Sequence, residues 1–220
     1  MNMIKDRMID TVLVDFDGTM MDTNELILNS WMYAIKTLTG KELPPDEIRA
    51  TFGETIAFSM QKLMPGVEIS KAVNLYRDYQ FDKYLDNIHP FDGVEETLTI
   101  LKDKGYKLAV VTSRLTRSTY SGLEHFNLDR FFEVVITADD CPEHKPHPLP
   151  LIMAMEGLDS KPEHTVMIGD TKHDIGAAKA AGVVSVLVDY SVALPPEKRE
   201  AEKPDYVIEK FSDIITLLER

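Results

Sequence analysis

Only one cysteine, Cys141, occurs in 220 residues, which rules out an internal disulfide framework and any zinc site built from several thiolates. It reads as an ordinary loop thiol. Positive charge is scarce too. Lys plus Arg number 24 against 37 Asp plus Glu, a net charge of -13, and a surface of that sign repels nucleic-acid backbones and anionic lipid. Neither nucleic acid nor a membrane is expected as a partner. Long apolar runs are also missing: "MNMIKDRMIDTVLV" at the start is broken by acids, and nothing approaches the ~20 apolar residues of a membrane span. A soluble, cytoplasmic protein is expected. The length suits a single core carrying an insertion, and no repeat or low-complexity tract is visible.

What the chain does have is alternation. Short apolar runs at 11–14, 107–112, 132–137, 164–169 and 183–188 each have the character of a buried parallel strand. Helical stretches separate most of them. "FDGVEETLTILKDKG" offers Asp92 as a cap with Glu95 three residues on, apolar Val94, Leu98 and Leu101, and a stop at Gly105. "SKPEH", with Ser160 and Glu163, suits either a capped turn or a loop, and "LPPEKREAEKP" an exposed loop. This order predicts an α/β fold with a doubly wound parallel sheet.

One interruption runs from about Asp22 to Pro90 and contains no convincing strand. Leu26, Ile27, Trp31, Ala34, Ile35 and Leu38 form a stripe at helical spacing, and "ETIAFSMQKLM" and "SKAVNLYRDYQFDKYLDNI" continue the helical pattern. Residues 22–90 are therefore expected to form an inserted helical domain, with 1–21 and 91–220 as the α/β core. The prolines of "KELPPDE" and "HPFDG" suit hinges.

Acids gather where the first strand runs out. In "VLVDFDGTMMD", Asp15 and Asp17 are two apart and project to one side of an extended chain, just before Gly18 lets the backbone turn. A bare Asp-Gly turn is the bland explanation. "VMIGDTKHDIGAAKAAG" repeats the arrangement, with Asp170 after an apolar strand and Asp174 four residues later at the start of a small-residue helix. The carboxyl ends of parallel strands share one edge, where ligands bind at the point of strand-order reversal. If these strands are neighbours, Asp15, Asp17 and Asp170 converge on an all-oxygen, hard-cation site that suits Mg²⁺. Thr112, Ser113 and Arg114 in "VVTSR" are donors suited to phosphate oxygens, or alternatively a helix cap. Lys145 lies in the proline-braced "EHKPHP", whose His144 and His147 read as solvated loop residues.

"DFDGT", Thr112 after "VV", Lys145 before proline and "GDTKHD" stand in the order of the four motifs of the haloacid dehalogenase superfamily, and the chain resembles that superfamily from about Asp10 to Arg220. The insert resembles the cap of its phosphoglycolate phosphatase-like branch. The resemblance implies a strand order five-four-one-two-three and makes Asp15 the nucleophile that becomes an aspartyl-phosphate, with Asp17 as general acid and base. Asp15, Asp170 and the backbone carbonyl of Asp17 would bind Mg²⁺, Thr112 and Lys145 would hold the transferring phosphoryl group, and Asp174 would support Lys145 or a metal-bound water. A loose phosphoryl-transfer transition state needs its charge neutralised and its groups positioned, which explains the clustering.

An acid at position 17 sets the chain apart from the dehalogenases, and Gly53 followed by Glu54, Thr55 and Ile56 departs from the mutases' GxxR, so phosphatase chemistry on a small phosphorylated substrate is favoured. "TNELI" at 23–27, the Tyr76-Arg77 pair, "FFE" and "DD" resemble the inorganic pyrophosphatases of Gram-positive bacteria. On that resemblance Asn24 and Arg77 are candidates for holding the second phosphoryl group, with Arg49 and Lys62 as further basic residues of the insert. Phosphoglycolate or another small phosphomonoester is the alternative substrate. A phosphorylatable receiver module shares the acid cluster, Thr and Lys, but is roughly one domain of ~120 residues without a helical insert.

Overall fold

The computed structural model describes residues 3–4, 7–194, 199 and 201–219. A short antiparallel pair, β1 (Met3–Ile4) and β2 (Arg7–Met8), precedes β3 (Thr11–Val14). β4 (Met21–Asp22) then leads into four helices: α1 (Asn24–Thr39), α2 (Pro45–Arg49), α3 (Ile56–Leu63) and α4 (Ile69–Lys83). β5 (His89–Pro90) returns the chain to α5 (Val94–Asp103), β6 (Lys107–Val111), α6 (Thr116–His125), β7 (Val134–Ile136) and α7 (Leu149–Gly157). β8 (Thr165–Gly169), α8 (Lys172–Ala181), β9 (Val184–Val188), β10 (Tyr206–Ile208) and α9 (Asp213–Leu218) complete the order.

Six strands form one sheet in the order β10-β9-β8-β3-β6-β7, with every pairing parallel. The expected doubly wound fold and its five-four-one-two-three order are both present. β10, which the sequence reading missed, extends the β9 edge; its three residues "YVI" lie outside any long apolar run.

The strands read as unbroken apolar runs because both faces are covered. Val12 and Val14 of β3, Leu108 and Val110 of β6, and Val166 and Ile168 of β8 point to one face, where Val94, Leu98 and Leu101 of α5 and Ile214 and Leu218 of α9 meet them. Leu13, Ala109, Val111 and Met167 point to the other, against Leu151 and Ala154 of α7 and Ala177 and Ala178 of α8. Full burial of a side chain such as Leu98 stabilises the fold by about 1.5–3 kcal/mol.

Helices α1 to α4 enclose a separate apolar cluster containing Leu28, Trp31, Ala34, Ile35, Ile48, Met60, Ala72 and Tyr76. The rings of Trp31 and Tyr76 lie 4.9 Å apart within it. Leu26, at the foot of α1, packs instead with the sheet core, so the α1 stripe serves two cores in succession. β4 and β5 pair antiparallel, Met21 with Pro90 and Asp22 with His89, and bring the two connections together.

Three local expectations are corrected or refined. Asp92 does not cap α5: Gly93, at φ 78°, holds the cap position, so Asp92 lies one residue outside the helix and the box with Glu95 does not form. "SKPEH" contains a 3-10 turn, Pro162–His164, entered without a side-chain cap. Cys141 is buried. Part of "LPPEKREAEKP", residues 195–198 and 200, lies outside the described residues.

Candidate active site

β3 and β8 are neighbours, and the connection leaving β3 runs to β6 while that leaving β8 runs to β9 on the opposite side, so the switch point of the sheet lies at their carboxyl ends. The backbone N–H of Asp15 donates to Ile168 O at 2.9 Å, carrying the strand pairing one step beyond β3 and setting Asp15 beside the end of β8. Gly18 turns the chain there at φ 72°, and a Cβ at that position would come within 2.0 Å of Asp170 Oδ2. Glycine is required by both the dihedral and the close approach.

Asp15, Asp170 and Asp174 are buried and each offers a carboxylate oxygen within 4.8 Å of the others, a grouping able to hold a metal ion. Lys145 Nζ bridges two of them, donating to Asp15 Oδ1 at 2.8 Å and Asp174 Oδ1 at 2.5 Å, with a third bond to Val111 O at 2.9 Å. Thr171 opens α8 by a reciprocal capping box in which its N–H donates to Asp174 Oδ2 and its Oγ1 accepts from Asp174 N–H, and its hydroxyl also donates to Asp174 Oδ2. Asp170 Oδ2 accepts from Ser191 Oγ at 2.5 Å, while Asp170 Oδ1 is buried without a hydrogen-bond partner among the described residues. An orphaned buried carboxylate oxygen facing two more carboxylates has the donor chemistry of a hard-cation site.

The electrostatics are those of an acid cluster with one cation. Burial, with the charges of Asp174 and Asp17, pushes the Asp15 carboxyl up to about 7 despite Lys145. Burial and the neighbouring Asp15 and Asp174 raise Asp170 well above the usual carboxylate range. Asp174 is also penalised by burial but lies below its ordinary value, held there by Lys145 and the Thr171 donors. Lys145 is disfavoured by burial yet raised by its two carboxylate partners.

Asp17 faces elsewhere. Thr23 Oγ1 donates to its Oδ1 at 2.7 Å, and Arg114 donates from Nε to both oxygens at 3.0 and 2.9 Å and from Nη2 to Oδ1 at 2.7 Å. This corrects the expectation for Arg114: its donors go to Asp17 and Gln80. The expected hydroxyl residues share the cavity with Arg114. Thr112 N–H donates to Ile136 O, extending β6 as Asp15 extends β3, and Thr112, Ser113 and Lys145 line the cavity above the strand ends.

That cavity, about 760 Å³, lies between the sheet edge and the inserted helices. Its upper wall includes Ile27, Phe52, Ile56, Val73 and Phe81 as well as Asn24 and Arg77. Arg77 is exposed on α4, and Asn24 bonds through its amide to Asp22 Oδ1 at 3.3 Å. Arg49 pairs with Asp46 and Lys62 with Glu54, and neither basic side chain lines the cavity. His147 is exposed, as expected, whereas His144 is half-buried and lines the cavity. The insert touches the sheet edge at Gly53, where at φ 82° an added Cβ would lie 2.8 Å from Thr171 Oγ1.

A family model for haloacid dehalogenase-like hydrolases matches residues 12–188. The chain belongs to the haloacid dehalogenase-like hydrolase family. Relatives named pyrophosphatase PpaX include one from Bacillus mycoides, 35% identical over 96% of this chain and 98% of its own. Another, from Halalkalibacterium halodurans, is 36% identical over 96% of this chain and 97% of its own. Among solved structures, a predicted phosphatase of Clostridium acetobutylicum superposes with a TM-score of 0.84 at 27% identity, covering 95% of this chain and 97% of that one. This family member is therefore a hydrolase of the phosphatase type. Thr23, Gln80, Arg114 in its actual role, and Ser191 were not identified from sequence as parts of the site. Gln80, Arg114 and Ser191 are joined to it by partners far along the chain, as Ser191 is to Asp170 across 21 residues, while Thr23 reaches Asp17 across the Gly18 turn.

Proposed function

We propose that this protein is a Mg²⁺-dependent phosphohydrolase in which Asp15 is the nucleophile and residues 22–90 act as a cap over the core. The observation that carries the reading is the buried set Asp15, Lys145, Asp174 and Asp170 at the floor of the cavity, with Asp170 Oδ1 left for a cation. Asp15, Asp170 and the carbonyl of Asp17 would hold Mg²⁺, which when bound supplies charge neutralisation to nucleophile and phosphate.

The side chains divide the remaining work. An Asp15 carboxylate oxygen attacks phosphorus as the bond to the leaving oxygen breaks, giving an aspartyl-phosphate. Water then attacks that phosphorus, the bond to Asp15 breaks, and phosphate leaves with the carboxylate restored. Thr112 and Lys145 orient the equatorial oxygens, and Ser113 lies at the same wall. Asp17 gives a proton to the leaving oxygen and takes one from the attacking water. Asp174 fixes the ammonium of Lys145.

For substrate we propose inorganic pyrophosphate, supported by the names of relatives at 35 and 36% identity, with Arg77 and Asn24 facing the second phosphoryl group. A small phosphomonoester such as phosphoglycolate is the second reading, favoured by the apolar side chains of the upper cavity wall, since a polyanion needs cations where it is desolvated. The ratio kcat/KM for pyrophosphate, phosphoglycolate and a generic ester decides. A preference for pyrophosphate of at least about tenfold, roughly 1.4 kcal/mol of transition-state binding, is expected; a smaller one removes pyrophosphate and leaves the general phosphohydrolase.

A further inference from the structure

Arg114 is buried and lines the cavity, and its backbone N–H donates to Thr112 Oγ1 at 3.1 Å, but the observed hydrogen bonds of its guanidinium go to Asp17 and Gln80. Its Nε and Nη2 grip both oxygens of Asp17, and Nη1 donates to Gln80 Oε1 at 3.1 Å. Its guanidinium carbon lies 4.9 Å from the ring centroid of Tyr84 and 5.8 Å from that of Phe16, so the planar group is fixed by aromatic faces as well as by hydrogen bonds.

The partners come from both parts of the fold. Asp17 follows β3, and Arg114 follows β6. Gln80 is on α4, where its Nε2 donates at 2.9 Å to Tyr76 Oη, and Tyr76 packs against Trp31 inside the insert's own core. Thr23, which donates to the same Asp17 Oδ1 that Arg114 Nη2 reaches, immediately precedes α1 and spends its hydroxyl on Asp17 rather than on capping that helix. Asp17 is thus held through the first and last helices of the insert and through the core at once. A displacement of the insert about the β4–β5 connection moves Thr23 and Gln80 relative to the strand end.

We propose that Arg114 is a positioning residue that makes the orientation of Asp17 depend on the seating of the cap, with Gln80 as the cap's half of the link. The proposal rests on the phosphohydrolase reading, because it assigns Arg114 to that reaction through Asp17. It assigns Arg114 no contact with the transferring phosphoryl group.

The test is a double-mutant cycle with p-nitrophenyl phosphate, whose leaving group departs without protonation, so that Asp17→Asn retains measurable turnover. Arg114→Ala should lower kcat by about tenfold to a hundredfold, as expected for a misplaced catalytic group, while the inhibition constant of inorganic phosphate changes by less than about twofold. In an Asp17→Asn background the same change should cost less than about twofold, because the residue through which it acts is already lost. Arg114→Lys should recover part of the loss. If Arg114→Ala does not fold, as judged by circular dichroism, Gln80→Leu takes its place. It should lower kcat several-fold alone and leave Asp17→Asn unchanged. Additive losses in either cycle, or a phosphate inhibition constant that weakens in step with kcat, would overturn the proposal, the latter by making Arg114 a phosphate-binding residue. Wild-type protein inactive with Mg²⁺ on every phosphate compound would instead remove the phosphohydrolase reading.

Discussion

Replacing Asp170 by Asn should make the metal-free protein more stable and the enzyme inactive. Asp170 is 2% exposed, accepts one hydrogen bond from Ser191 and, among the described residues, leaves Oδ1 without a partner beside two further carboxylates. Its pKa, like that of Asp15, is raised by burial and like charge. The sign follows from linkage. A carboxyl whose folded value exceeds its unfolded value of about 3.9 releases its proton more readily in the unfolded chain, so its contribution is intact below about pH 4 and is lost as pH rises through the folded value. At pH 8 the ionised Asp170 carboxylate therefore destabilises the metal-free fold through its burial and the neighbouring Asp15 and Asp174 charges. The buried Asn amide, imperfectly paired, offsets part of this. A net gain of about 2 kcal/mol at pH 8 in chelator, the scale of one buried polar group left unsatisfied, is expected, roughly 4–8 °C in Tm for a chain of this size. The gain should shrink toward pH 4. Mg²⁺ at a hundred times its Kd adds about 2.7 kcal/mol to the wild type and little to the variant, so the order of melting temperatures should converge or reverse. Thermal melts of both proteins at pH 8 and pH 5, with chelator and with Mg²⁺, give the comparison. A metal-free variant no more stable than wild type, or one retaining the full Mg²⁺ shift, would refute the placement of the cation.

Asp15→Asn should abolish the acid-stable phosphoenzyme trapped by rapid quench, whereas Asp17→Asn should slow turnover and still bind phosphate; mass spectrometry finding the phosphoryl group on Asp17 would reverse the roles. Ca²⁺ should inhibit the Mg²⁺-supported reaction, because longer, looser coordination moves the nucleophile off line; steady-state rates with mixed cations are sufficient, and undiminished turnover counts against the site. Arg77→Ala should reduce kcat/KM for pyrophosphate more than for a generic ester, and equal losses would assign Arg77 to stability alone. Leu98→Ala, in the middle of the sheet core, should cost about 2–5 kcal/mol in denaturant unfolding with little change in KM.

Elements whose causes are local were legible in the amino-acid pattern. Unbroken apolar runs required strands covered on both faces, and helical periodicity from Leu26 to Leu38 required an amphipathic helix in the insert. Asp15, Asp17 and Asp170 followed strand ends closely enough that the fold's single ligand edge had to gather them. Asp15 and Asp170 do face one another with Asp174. Asp17 shares that edge, but its side chain is directed to Arg114, 97 residues away. No periodicity encodes that pairing, since it depends on which strands are neighbours and on where the insert sits. The same reason explains Gln80 and Ser191, whose partners lie on other elements, and β10, whose three residues become a strand only because β9 presents an edge for them. Asp92 shows the opposite limit. Its spacing to Glu95 satisfied a local rule, and the left-handed backbone of Gly93 displaced it by one residue. Tertiary structure decided which donors each carboxylate meets, because side chains distant in sequence compete for them only after the sheet and the insert have been brought together.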